Sequence, residues 1–198
     1  MAVTRLTTNG LTGTKYDIAS ADNYYMEPIA TTLVGAGGVS SIAFTNIPQG
    51  YKNLQIRAIA RNTVNSTGAE AVIFQINGDT TSSYAYHLLQ TINVLNSGNP
   101  YGSASTSQTN MWVGVSVEGG ELANAFAPMV TDILDYNNTN KYKTLRTFCG
   151  MNTNGGTDVL AFRSGLWMNT APITSINITN SAGNFAQHSR FSLYGIKG

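Results

Sequence analysis

The sequence predicts an all-β protein: an antiparallel, jelly-roll-like β-sandwich over residues 27–198, preceded by an extended N-terminal arm over residues 1–26. Three observations carry that expectation. Short apolar stretches recur at nearly regular spacing between Asn, Gly, Ser and Pro clusters, the pattern of many short strands closed into a sandwich or barrel. The clearest stretch, Asn53–Arg61, alternates with period two: Leu54, Ile56, Ala58 and Ala60 face one way, Gln55, Arg57 and Arg61 the other, as a strand with one buried face requires. No stretch shows the apolar spacing of an amphipathic helix.

In chain order, residues 1–26 lack helical periodicity, carry Asn9-Gly10 and Gly13, and hold few large apolar side chains. Such a segment buries too little surface by itself to offset its ordering entropy. Fully extended, it reaches roughly 85 Å. It is read as an arm that orders on a neighbouring subunit, anchored by Leu6, Leu11, Tyr16, Ile18, Tyr24 and Tyr25, since an apolar body with one polar tip suits tyrosine to interfaces.

From Glu27 the pattern is steadily β. Ile29–Val34 runs into the turn Gly35-Ala36-Gly37-Gly38, Val39–Ile47 follows, and Pro48-Gln49-Gly50 turns into Asn53–Arg61. The next strand, Ala71–Ile76, is expected to pair with it and to close on Asn77-Gly78-Asp79, because Asn-Gly favours the positive φ angles of a tight hairpin. Tyr84–Leu95 reads as a helical turn passing into a strand, and Asn96–Asn110 as a long polar loop, a length associated with function. Met111–Val117, Met129–Leu134, Tyr142–Met151, Val159–Met168, Ile173–Thr179 and Arg190–Ile196 complete the strands.

Composition narrows the function. At 198 residues the chain has length for one domain with an appendage, and large enough a core to fold without disulfides or metal. Charged residues make up 11%, against about 25% in an average soluble protein. A neutral amide and hydroxyl surface can be buried against other subunits, or against sugars, without stranding charges. Net charge is +1 and no basic run exists, so nucleic acid is not an expected partner. No segment has the apolar length of a signal peptide or membrane span, so no membrane partner is expected and synthesis is placed in the cytosol.

Motifs of chemistry are missing. His87 and His188 have no neighbouring ligand in sequence, so no metal or cofactor is expected. Cys149 lies in TLRTFCGM and reads as a small buried hydrophobe. The Gly35–Gly38 cluster lacks a phosphate loop's Gly-Lys-Ser/Thr ending, and no Gly-x-Ser-x-Gly elbow occurs. Glu118 with Glu121, and Asp132 with Asp135, have the residue types of a glycosidase pair but read as turn and surface carboxylates. No catalytic residue is assigned and the chain is not expected to be an enzyme. Tyr84, Tyr86 and Tyr101, beside the long polar loop, are the candidates for an aromatic platform that stacks on a sugar.

Three blocks carry a resemblance. YYMEPIATTLVGAGGVSSIAFTNIPQGYKNLQIR (Tyr24–Arg57), INGDTTSSYAYHLL (Ile76–Leu89) and ITSINITNSAGNFAQHSRFSLYGIKG (Ile173–Gly198) resemble, in the same order, blocks of small virion structural proteins of tailed bacteriophages, including those infecting cyanobacteria. The resemblance implies a structural β-sandwich on the particle surface, with the major capsid protein or other virion subunits as partners and a homo-oligomer, trimer or dimer, as the working form. It implies a head decoration or cement protein whose arm clamps capsid subunits; the alternative is a tail, collar or fibre component that touches a cell-surface glycan.

Overall fold

A computed structural model describes residues 25–92 and 100–198. The described residues form twelve strands: β1 (Met26–Leu33), β2 (Ser41–Phe44), β3 (Asn53–Ala60), β4 (Ala69–Ile76), β5 (Tyr84–Ile92), β6 (Tyr101–Gln108), β7 (Met111–Val117), β8 (Ala127–Leu134), β9 (Lys143–Met151), β10 (Val159–Trp167), β11 (Ile176–Asn180) and β12 (Arg190–Ile196). No helix forms among the described residues. β1 starts at Met26, whose partner is Ile196, so the last residue assigned to the arm already belongs to the sandwich.

All strand pairs are antiparallel. The large sheet runs β1-β12-β3-β8-β9-β10-β5-β6 and the small sheet β2-β11-β4-β7. Without the β5–β6 and β9–β10 hairpins, the large sheet reads β1-β12-β3-β8 opposite β2-β11-β4-β7. That arrangement is jelly-roll-like, with the two hairpins extending one sheet beyond the other.

Alternation sets the layers. Leu54, Ile56, Ala58 and Ala60 of β3 are buried, as are Ala127, Met129, Thr131 and Ile133 of β8, while Arg57 and Val130 point outward. The small sheet contributes Ile42, Phe44, Phe74, Ile76, Ile176 and Ile178 to the same continuous core. Two glycines face methionines of the opposite sheet. A Cβ on Gly114 would lie 2.2 Å from Met129 Sδ, and one on Gly165 only 1.8 Å from Met111 Sδ. A side chain at either position requires the opposing methionine to move.

Three expectations need correction. β3 and β4 do not pair: β3 lies between β12 and β8 in the large sheet, β4 between β11 and β7 in the small one. Their connection is a crossing between layers, because each strand buries its apolar face from the opposite side of one core. The Asn77-Gly78 turn forms, with φ of 51° and 66° and an Asp79 N–H to Ile76 carbonyl bond of 2.9 Å. It also leads from one sheet to the other. Tyr84 bridges the two layers there: its buried hydroxyl contacts the Ile76 backbone and the Asp79 carbonyl while Tyr84 pairs with Trp167 of β10.

The expected helical turn in Tyr84–Leu95 is strand β5 throughout its described part, with Tyr84, Tyr86 and Gln90 inward. The expected polar loop holds β6, YGSASTSQ, an edge strand exposed on most of its length. A strand wet on both faces leaves no period-two signal. Its pairing with β5 is what orders it.

Candidate functional site

Most charged groups in and around the sandwich are occupied structurally. Arg61 donates from Nη1 to the carbonyls of Leu122 (2.8 Å) and Ala125 (2.9 Å), and from Nη2 to those of Gly119 (2.8 Å) and Glu121 (2.9 Å). It fastens the loop between β7 and β8. Lys143 is fully buried, and its ammonium donates to the carbonyls of Asn138 (2.5 Å), Lys141 (2.8 Å) and Thr170 (2.9 Å). Burial pulls its pKa down, with Asp135 opposing.

The carboxylate pairs are engaged too. Glu118 accepts from Ser66 and Glu121 from the Thr157 N–H at 3.1 Å. Asp132 accepts from Gln55 at 2.8 Å and pairs with Arg146 at 3.2 Å. Asp135 sits between Lys141 (2.7 Å) and Lys52 (2.9 Å), whose hydrogen bonds hold its carboxyl down at about 2. Cys149 is buried, which pushes its thiol pKa up. No cluster of three or more His, Cys, Asp or Glu that could hold a metal occurs among the described residues.

Arg163 is different. It lies on the inner face of β10, 7% exposed, between Thr147 of β9 and Leu88 of β5. Its Nη2 donates to Gln90 Oε1 at 3.2 Å, while Nε and Nη1 are buried without a partner. Burial pulls the guanidinium pKa down, and the neighbouring Cys149, Tyr101 and Tyr86 act the other way. A guanidinium stays charged in a protein, so this is an incompletely paired interior cation.

It borders a cleft of about 250 Å³ between the small-sheet edge, β4 and β7, and the overhanging β10-β5-β6 end of the large sheet. Trp112 and Tyr101, both partly exposed, line this cleft with Gln90, Thr157 and Arg163. Tyr86 stacks on Trp112, centroids 5.7 Å apart and planes within 13°. Gln90 ties the floor to the rim by donating from Nε2 to the Tyr101 hydroxyl.

The three sugar-platform tyrosines therefore separate. Tyr84 is in the core with its hydroxyl bonded, and has no face to offer a ligand. Tyr86 is buried and backs Trp112. Tyr101 lines the cleft. Sequence reasoning missed Arg163, Gln90 and Trp112. The available signal was a lone arginine on the apolar register of a strand, Val159, Ala161, Arg163.

A second surface lies on the outer face of the large sheet. Cross-strand register aligns Val130, Phe148, Phe162 and Leu89 in one row over β8, β9, β10 and β5. Phe148 is 48% exposed and Phe162 61%, their rings 4.8 Å apart. A depression of about 680 Å³ beside the row is lined by Phe126, Pro128, Val130, Phe148 and Leu160, among others. Of the arm anchors, Leu6, Leu11, Tyr16, Ile18 and Tyr24 lie outside the described residues. Tyr25 is 77% exposed, and its carbonyl accepts the Lys197 N–H at 3.0 Å.

Comparison with protein-family models, with curated proteins and with solved structures finds no match to the chain.

Proposed function

We propose that the chain is a virion structural protein, a head decoration subunit whose sandwich sits on the capsid and whose N-terminal residues reach neighbouring subunits. The observation that carries this reading is the exposed row Val130, Phe148, Phe162 and Leu89. Aromatic and aliphatic side chains contiguous over four strands favour a face that is covered in the working assembly. Low overall charge supports the same reading, since little desolvation opposes burial of the surrounding surface. So does the resemblance of the three sequence blocks to phage virion proteins. The partner is a capsid subunit, and many weak contacts repeated over a lattice give strong attachment.

The aromatic cleft favours a second location, at the tail or collar, where a sugar-binding surface meets the cell. Copy number separates the two. Quantitative mass spectrometry of purified particles, scaled to the major capsid protein, is expected to give hundreds of copies. A few dozen or fewer would move the chain to the tail. Absence from the particle would overturn both.

A further inference from the structure

Half-buried Arg61 and buried Lys143 set a standard of pairing that Arg163 does not meet. Arg61 meets four carbonyls and Lys143 three, all within 2.9 Å. Arg163 has one hydrogen bond, to a neutral amide at 3.2 Å, and two nitrogens with none. A buried charge so poorly compensated is destabilising. No Asp or Glu lines the cleft among the described residues. Among the described residues, the cleft lining supplies no charge complement to the guanidinium.

We infer that the cleft is a binding site for a carboxylate-bearing sugar of the uronic acid kind, with Arg163 receiving the carboxylate and Trp112 and Tyr101 flanking the ring. Three features select that class. A planar guanidinium with free N–H groups matches a carboxylate through two parallel charge-assisted bonds. The volume, about 250 Å³, accommodates one sugar residue and is small for a peptide or an extended lipid. The walls combine aromatic faces with the Gln90 amide and the Thr157 side chain, which supply apolar contact to a pyranose face and hydrogen bonds to its hydroxyls.

Gln90 and Tyr101 act as the latch. Nε and Nη1 are shielded from water, and Gln90 bridges the guanidinium and the Tyr101 hydroxyl. The incoming carboxylate displaces the Gln90 amide from Arg163, which frees Gln90 and Tyr101 to face the sugar hydroxyls. Tyr101 stands on the exposed edge strand β6, so its side chain has room to swing. This inference does not depend on where in a particle the protein sits.

Calorimetric titration of the full chain with glucuronate, glucose and acetate tests it. Glucuronate is expected to bind saturably, at least about tenfold more tightly than glucose or acetate, and to raise the melting temperature. In Arg163→Met, glucuronate affinity is expected to fall at least about tenfold. The fold should survive, because an apolar side chain of similar length suits the site. Tyr101→Ala, on a wet edge strand, weakens binding several-fold without altering folding and serves if Arg163→Met does not fold. Equal binding of acetate would overturn the sugar assignment. Unchanged affinity in both variants, or no glucuronate binding, would overturn the site. A self-association of the wild type that Arg163→Met abolishes would overturn it in favour of a partner's carboxylate.

Discussion

Trp167 donates its indole N–H to Asp79 Oδ2 at 2.7 Å, joining the end of β10 to the turn that follows β4. The same carboxylate accepts from the Thr81 N–H (2.8 Å), the Thr81 hydroxyl (2.6 Å) and the Ser83 hydroxyl (2.7 Å). It therefore holds the point at which the chain leaves the small sheet for the large one. Desolvation acts to raise the Asp79 pKa, but the hydrogen bonds from Thr81, Ser83 and Trp167 outweigh it and hold the carboxyl far below its usual value.

The sign of the pH effect follows. A folded-state pKa below the unfolded value, about 3.9 for Asp, gives stability that is present above that value and lost as pH falls toward the folded pKa. Asp79→Asn is expected to cost about 1–3 kcal/mol at neutral pH. Its loss of stability on acidification should be shallower than in the wild type. Urea midpoints measured at about pH 7 and about pH 3 check this. Parallel acid losses in the two proteins would contradict it.

Lys143→Met removes the donor that three carbonyls share, those of Asn138, Lys141 and Thr170. Losing one donor from three part-buried carbonyls at once makes this substitution costly, about 2–4 kcal/mol. By contrast Lys141→Met, which removes one exposed ion pair with Asp135, should change stability by less than about 1 kcal/mol. Thermal melts of the two variants side by side give the comparison.

Gly165→Ala forces a methyl against Met111, a fully buried side chain. Overpacking of this kind costs about 1–3 kcal/mol. Shortening the opposing side chain with Met111→Val should restore part of it, so the double variant is expected to be more stable than the sum of the two single effects. Strict additivity in a denaturation double-mutant cycle would show that the glycine is not set by the Met111 contact.

Phe148→Ser with Phe162→Ser removes the centre of the outer apolar row. Both rings are largely outside the core, so folding stability should shift by only about 1 kcal/mol or less. Co-sedimentation with particles lacking the protein should fall sharply. Retained binding would place the docking face elsewhere.

Removing residues 1–24 leaves β1 intact, since that strand begins at Met26. The truncated protein is expected to keep its cooperative melt and lose particle binding. Loss of the cooperative melt instead would make that segment part of the core.

Strand existence was legible wherever one face is buried and the other wet. Asn53–Ala60, Lys143–Met151 and Val159–Trp167 are recognisable because buried and more exposed side chains alternate along them. β6 was not legible, since its Ser, Thr and Gly residues face solvent on both sides. Tyr84 and Tyr101 look alike in sequence beside one loop. One is sealed by strands far along the chain and the other lines a cleft.

By itself the sequence determined the local chemistry: which segments extend, where Asn-Gly turns, and that charge is scarce. These depend on φ/ψ preference and on neighbours a few residues away. Only the tertiary structure decided that β3 and β4 belong to different sheets and that Phe148 meets Phe162 across two strands on the outer face. It also decided that Arg163 lies in the interior with nitrogens unpaired. Pairing and burial depend on which distant strand supplies the next hydrogen-bond ladder, and period-two alternation is equally compatible with many such partners.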